Sequence, residues 1–423
     1  MKLYFKVDKT KKATKNICCV ILIFSFVFTF SGCNIIKNIL DPVYGDKLVA
    51  MAEDFSYISF SRGEEGTEPI TVTLEEFAEY SVENSSLRSS LAYNTLDKNQ
   101  KIIYKAFEYA MENSYSNIFV DSKITDGEDE LVKILNYLSF DSPLLEQNLA
   151  YGTAPFSHSY AVPVLWLYER EAIFEGYYIS VNNFTEELWD KKFEAVEKAK
   201  KIVADIPTDI PELEKAHKLY RYVSENVEYT DYKSDDDPSA VKTFLYDALI
   251  TGKTNCDGFS NSLALLYRLA NIENAEKIYN AEDPNKEGHT WNIFQTDGKW
   301  YNADATNSTL TADWDEVYSS LSFAFADELQ TYEHEYAEIY PACNEYGYLS
   351  VDARLTDASS KAFVAAAKKA FNQNRDKTAF LILDSCNKSQ LNKALQKLAD
   401  STNRDLETIY FECVGGRTAI YIY

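Results

Sequence analysis

Cys256, His289 and Asp304 are the side chains in this sequence whose types and order suit chemistry on an acyl group. A cysteine thiolate is a strong nucleophile, an imidazole can take a proton and return it, and a carboxylate can hold that imidazole in one tautomer. The cysteine stands in Lys253-Thr254-Asn255-Cys256-Asp257-Gly258-Phe259. The histidine stands in Gly288-His289-Thr290-Trp291-Asn292-Ile293-Phe294, and the aspartate in Lys299-Trp300-Tyr301-Asn302-Ala303-Asp304-Ala305-Thr306. The 423 residues hold only 4 His, so a histidine in this setting is not an effect of composition.

These residues need elements to position them. Between His289 and Asp304 lies Thr296-Asp297-Gly298-Lys299, and Asp-Gly between alternating apolar residues signals a two-residue hairpin turn. That turn opposes Thr296 to Lys299, Trp291 to Asp304 and His289 to Thr306. Side chains alternate along a strand, so His289 and Asp304 leave the same face as diagonal neighbours, roughly 7–8 Å apart at the backbone. A three-residue loop would place them on opposite faces. The plain alternative is a surface hairpin with an incidental histidine.

Downstream of the cysteine, Phe259, Leu263, Leu266 and Ala270 fall at helical spacing and predict one buried stripe. Asn255 is a natural N-cap, and Gly252 marks the stop of a preceding helix over about Ala240–Leu249. Cys256 therefore lies in a first helical turn, where unpaired N–H groups and the positive dipole end favour a thiolate and can hold an oxyanion. Asp257 and Gly258 are poor core formers, which predicts that this turn faces a cleft. A buried structural thiol is the alternative; the polar, Gly-flanked helix start argues against it.

In order and wording these segments resemble the transglutaminase-like core of the papain-like cysteine enzymes. Cys256-Asp257-Gly258-Phe259 with Leu265-Leu266 resembles that family's Cys-x-Gly-aromatic helix. His289-Thr290-Trp291-Asn292 resembles its His strand, and Trp300-Tyr301-Asn302-Ala303-Asp304 its Asp strand. Val227-Glu228-Tyr229, after an amphipathic helix, resembles the segment leading into the core. The specific match covers about Asp209–Thr306. Asp257 departs from the Glu or neutral residue more usual after the cysteine, and Ala303 often stands as Val. The resemblance implies an α+β core: a papain-like transglutaminase fold with the Cys helix packed on an antiparallel sheet that carries His and Asp.

Resemblance and chemistry imply the same roles. Cys256 is the nucleophile, His289 the base and then the acid, and Asp304 the residue that steadies the ring. One oxyanion donor is the Cys256 backbone N–H; sequence does not name the second. The thioester passes to water, as in an amidase or peptidase, or to an amine, as in a transglutaminase. Trp291 shares the face of His289 and Asp304, so it either shields the site or packs on substrate. Tyr229 and Tyr301 are candidates to line the site, although core packing is the commoner fate of all three aromatics.

The N-terminus bears on the compartment. Lys2, Lys6, Lys9, Lys11, Lys12 and Lys15 precede a largely apolar run, Ile17–Phe30, and then Ser31-Gly32-Cys33. The pattern is that of a signal peptide and is too short for a comfortable membrane span. Ser-Gly-Cys resembles the lipobox of bacterial lipoproteins, with Cys33 lipidated. The expected address is the extracellular face of the cell membrane, with the protein held by lipid on Cys33.

A net charge of −24 repels nucleic acid and anionic headgroups and favours solubility. Beyond the leader and Cys33 the cysteines are Cys256, Cys343, Cys386 and Cys413. That is no disulfide scaffold, though Cys386 and Cys413 lie close enough in sequence to pair. No Cys-x-x-Cys, His-Glu-x-x-His or glycine-rich phosphate loop occurs, so no metal and no cofactor is expected.

The expected organisation is a leader over 1–32, a tether over 33–70, a mainly helical N-terminal α+β region over 71–184, the transglutaminase-like core over 185–341 and a small C-terminal α/β unit over 342–423. In the N-terminal region, helices are read at Leu74–Glu83, Leu96–Asn113 and Glu128–Leu138, and strands at Tyr160–Leu167 and Tyr177–Val181. A charged helix runs over about Thr185–Ala204. A helix capped by Asp209, with Pro211 and Glu212 early, carries the stripe Leu213, Ala216, His217, Tyr220, Val223 and Val227, which makes His217 a packed residue. Ser234-Asp235-Asp236-Asp237-Pro238 reads as a solvated loop. His158 and His334 lie in no motif.

Two functions follow. One is a surface-tethered cysteine enzyme acting on peptide or glutamine amides, with hydrolysis favoured over cross-linking and peptide or protein partners such as cell-wall peptides. The other is a non-catalytic binding or structural lipoprotein on the same fold.

Overall fold

The computed structural model describes residues 57–61, 70–74, 77, 87–145, 151–164, 168–181, 186–230, 244–279, 288–306, 321–332, 337–348 and 350–423. The leader, Cys33, the acidic loop 234–238, His334 and most of the helix expected at Leu74–Glu83 lie outside them. The chain divides into two compact units, Met1–Ser56 with Ser157–Glu175, and Tyr57–Phe156 with Gly176–Tyr423. In the first, the described residues 157–164 and 168–175 are extended strand.

The second unit opens with a sheet and helices. Strands β1 (Tyr57–Ser61) and β2 (Ile70–Thr73) form an antiparallel pair. Helices α1 (Leu91–Thr95) and α2 (Lys98–Glu112) follow, then β3 (Asn117–Asp121), α3 (Glu128–Asp141), β4 (Tyr151–Val164) and β5 (Tyr168–Val181), of which residues 157–164 and 168–175 belong to the first unit. The sheet order is β2-β1-β3-β5-β4. Ile58 and Phe60 are buried, so the expected tether 33–70 is corrected: its last third carries a core strand. The stretch is too short, and its flanks too polar, for alternation to announce it. The α2 start is a full capping box, with Gln100 N–H donating to Asp97 Oδ1 at 2.9 Å and Asp97 N–H to Gln100 Oε1 at 3.0 Å. Helix α1 borrows its cap from elsewhere: Asp141, at the end of α3, accepts from the N–H groups of Ala92 and Tyr93.

Helix α4 (Glu186–Ala204) and α5 (Glu212–Asn226) lead into the core. Pro211, not Asp209, occupies the α5 N-cap position and makes no side-chain cap bond. Strand β6 (Glu228–Tyr229) comes next, then α6 (Phe244–Tyr246), which continues as a π-helical turn over Asp247–Thr251. Gly252 ends it at φ 76°, a left-handed conformation that glycine adopts without steric cost. Strand β7 (Lys253–Thr254) runs parallel to β6, and α7 (Cys256–Leu269) starts two residues later. Phe259, Leu263 and Leu266 are fully buried, as the stripe predicts.

An antiparallel sheet packs on α7. Its strands are β8 (Glu273–Tyr279), β9 (His289–Thr296), β10 (Lys299–Ala303) and β11 (Phe323–Phe325), in the order β11-β10-β9-β8. The β9–β10 register runs from Lys299↔Thr296 to Ala303↔Asn292, which is the register of a two-residue turn. Asp297 at φ 51° and Gly298 at φ 74° make that turn, and positive φ at both positions matches the right-handed twist of the strands.

The chain closes with β12 (Ala353–Leu355), α8 (Ser360–Gln373), β13 (Ala379–Leu383), α9 (Lys388–Thr402), β14 (Thr408–Cys413) and β15 (Arg417–Ile422). Their sheet is ordered β12-β13-β15-β14, with β12 parallel to β13. The unbroken apolar run Ala379–Leu383 has two-sided burial as its cause. Leu381 and Leu383 pack under α8 and α9 with Phe363, Phe371, Leu391 and Leu398. Phe380 and Ile382 face the other way, onto Leu321, Phe325 and Leu329. Cys386 and Cys413 are free thiols.

Candidate active site

Each of the three reactive residues stands at the end of an element. Cys256 is the first residue of α7 and is half-buried. His289 is the first residue of β9, and Asp304 directly follows β10. His289 Nε2 lies 2.7 Å from Asp304 Oδ2, with the ring and the carboxylate both buried. Cys256 is near enough to act electrostatically on the same ring. Burial alone would discharge the imidazole. The Asp304 carboxylate, through charge and hydrogen bond, and the Cys256 sulfur outweigh it and raise the ring to about 10.

The main chain of Asp304 is held on both sides. Its N–H donates to Ser322 O at 2.8 Å, and its carbonyl accepts from the Tyr220 hydroxyl of α5 at 3.2 Å. Helix α7 lies on the opposite sheet face from His289 and Asp304. There Asn292 Nδ2 donates to Ser260 O at 3.0 Å, and Phe294 packs on Tyr267. Helix start and His strand are also joined directly, because Thr290 Oγ1 donates to Asp257 Oδ1 at 2.9 Å. Asp257, the residue least like the family pattern, therefore ties the two elements together.

The expectation of a first turn facing a cleft fails at Gly258, which is buried, while Cys256 is half-buried. A Cβ at Gly258 would fall 2.1 Å from Thr254 Oγ1 and 2.7 Å from Phe244 O. Glycine is there because β7 and α6 press on the helix, not because a cleft lies over it.

Of the aromatic candidates, Trp291 is on the reactive face. It is fully buried, its ring 6.0 Å from that of His289, and its Nε1 donates to Asn302 Oδ1 at 3.1 Å. Tyr301 projects from the opposite face and packs on Phe294 in the core, so strand alternation removes it from the lining. Tyr229 is half-buried in the core against Phe259. His217 packs tilted against Phe323 and Tyr348, and desolvation lowers it to about 4, so it is a neutral packed ring as the α5 stripe implies.

Two residues near the site escape a reading of the sequence. Asn302 donates to Phe325 O and to Asp327 Oδ1 while holding Trp291; its same-face spacing from Asp304 was the available signal. Tyr332 lies 4.5 Å from the His289 ring, centroid to centroid, and no local pattern marks it. Among the described residues no group of three or more His, Cys, Asp or Glu is arranged to hold a metal ion, and no helix is long and apolar enough to cross a membrane.

Comparison with known proteins adds the following. No curated protein matches the sequence. Solved structures that resemble the chain include a candidate cysteine protease from Cytophaga hutchinsonii, at 14% identity and a TM-score of 0.21, covering 38% of this chain and 65% of that one. A TGase matches at 16% identity and a TM-score of 0.23, covering 39% and 47%. The periplasmic domain of TgpA from Pseudomonas aeruginosa matches at 10% identity and a TM-score of 0.22, covering 45% and 69%. The chain thus spans less than two thirds of the first two of these proteins. The family model of the transglutaminase-like superfamily matches residues 197–305, the segment that holds Cys256, His289 and Asp304. Over residues 197–305 this chain resembles a transglutaminase-like domain.

Proposed function

We propose that the domain is a cysteine acyl-transfer enzyme acting on peptide or glutamine amides, with hydrolysis favoured over cross-linking. The observation that supports it best is the buried His289–Asp304 pair, 2.7 Å apart, whose imidazole is also influenced by the Cys256 sulfur. In this reading Cys256 and His289 rest as a thiolate–imidazolium pair. The sulfur attacks the amide carbonyl carbon, and the C–O π pair moves onto oxygen, where the Cys256 N–H receives it. Collapse of that intermediate breaks the C–N bond, and His289 gives its proton to the departing amine. The thioester is then attacked by water, His289 takes the water proton, and the acid leaves as the sulfur regains its charge. Asp304 keeps the ring oriented throughout. The partial exposure of Cys256 among the described residues supports the preference for water.

We place the body outside the cell, lipid-anchored at Cys33, on the leader sequence alone; peptides at the cell surface, including cell-wall stems, then become the nearest substrates. The deciding experiment has two parts. Iodoacetamide at mildly acidic pH should label Cys256 far faster than Cys343, Cys386 or Cys413, and equal rates would overturn the ion pair. Incubation with candidate peptides, with and without a primary amine, followed by mass spectrometry separates cleavage, deamidation and cross-linking. A Cys256→Ala protein that keeps every product would instead place the function elsewhere, as in a binding lipoprotein.

A further inference from the structure

The segment from Leu321 to Tyr332 runs between the catalytic sheet and the C-terminal sheet. On one side Ser322 O accepts the Asp304 N–H, and Asn302 holds Phe325 O and Asp327 Oδ1. On the other side Leu321, Phe325 and Leu329 pack into the face of Phe380, Ile382, Ile409 and Tyr421. Glu328 is gripped by Tyr346 and Arg354, with Arg417 at 3.6 Å. Gln330 O accepts from Val414 N–H at 2.7 Å, and Gln330 Oε1 accepts from the N–H groups of Thr331 at 2.6 Å and Tyr332 at 3.2 Å. The strap ends with the Tyr332 ring 4.5 Å from His289, tilted by 31°, and 6.3 Å from Trp291.

We propose that Tyr332 is a positioning residue for His289, and that the C-terminal α/β unit is the scaffold that keeps its ring there. The proposal rests on the reading of Cys256 and His289 as a reactive pair. The π face of tyrosine attracts a cation within about 6 Å of its centroid, so the ring stabilises the charged imidazole over the neutral one. Among the described residues, the charged or titratable groups facing His289 are Asp304 from the end of β10, Cys256 from the start of α7 and the Tyr332 phenol itself. Asp257 lies one step further, bonded to Thr290. Tyr332 brings to this set a π face in place of another charge.

The test compares Y332L, Y332F and E328A in the full chain. The readouts are the titration of His289 by NMR on labelled histidine, the Cys256 alkylation rate at pH 6, and thermal unfolding. Y332L should slow alkylation by about 5- to 30-fold and lower the His289 midpoint by about one pH unit. Y332F should stay within about twofold of wild type because the π face remains. E328A leaves the ring in place but loosens the strap, and should give a smaller loss of the same kind, up to about fivefold. Wild-type titration and alkylation in a folded Y332L would overturn the proposal. If Y332L does not fold, E328A decides: no change in either readout overturns the scaffold. A wild-type Cys256 no more reactive than the other thiols would defeat the functional reading, while the NMR midpoints would still judge Tyr332.

Discussion

The raised pKa of His289 sets the pH behaviour of the site. Asp304 and Cys256 lift the ring to about 10 against the pull of desolvation. A charged ring is required to protonate the leaving amine, so kcat/KM should hold from neutral pH upward and fall as pH passes about 10. A decline already complete near pH 7 would show that the carboxylate does not hold the proton. D304N removes the charge and frees the ring to adopt the wrong tautomer. It should cut kcat by about 10²- to 10⁴-fold and bring the upper limb down toward the ordinary histidine range. The partnership of His289 and Asp304 was legible because Asp297-Gly298 sets the register and alternation sets the face. Tyr332 was not, since its only tie to His289 is tertiary.

The elements that present these residues respond to changes far from the sulfur. Adding a methyl at Gly258 meets Thr254 Oγ1 and a backbone oxygen of Phe244, neither of which can step aside without moving β7 or α6. G258A should therefore cost about 1–3 kcal/mol of stability and slow Cys256 alkylation as well. Denaturant melts and alkylation rates check both. G298A is the control: nothing lies within 4 Å, and only the left-handed φ is penalised, at about 1–2 kcal/mol. The hairpin, the helical stripe of α7 and the start of α2 were readable from periodicity and capping chemistry. The π-helical end of α6 and the strands β1 and β3 were not. A π turn has no residue signature, and strands this short reveal themselves only by their partners.

Across the whole molecule, a buried polar cluster far from Cys256 joins α1, α2 and α3. Arg88 pairs with Glu108 at 3.0 Å, and Asp141 accepts from Ala92, Tyr93 and the Tyr104 hydroxyl. Desolvation raises Glu108 to about 7 despite Arg88, and raises Asp141 to about 6 despite its backbone donors. A carboxyl raised in the folded state stabilises below its unfolded pKa and loses that contribution as pH climbs through the folded one. His289, also raised, loses its share between its ordinary value of 6.5 and about 10. The Asp141 loss is complete by about pH 6, while those of Glu108 and His289 run on above it in the same direction, so thermal stability should fall from pH 6 to pH 8. E108Q should flatten that slope, and an unchanged slope in E108Q would dismiss Glu108 as its source. His217 works oppositely, but its effect is spent between about 4 and 6.5. At this scale composition shows a strongly acidic chain. It did not foretell that the final sheet would bury both faces and share a core with Leu321, Phe325 and Leu329, because which surface a strand covers is a property of the assembled chain.

The peptide of Asp304 is gripped on one side by the α5 phenol and on the other by a carbonyl of the strap. An acid anchored this way has no rest position to retreat to between turnovers, so the reactive centre stands ready before any ligand arrives. Inhibitors should therefore select a lock already cut rather than mould one. Their association should run close to the encounter rate, with little ordering of the chain to slow it.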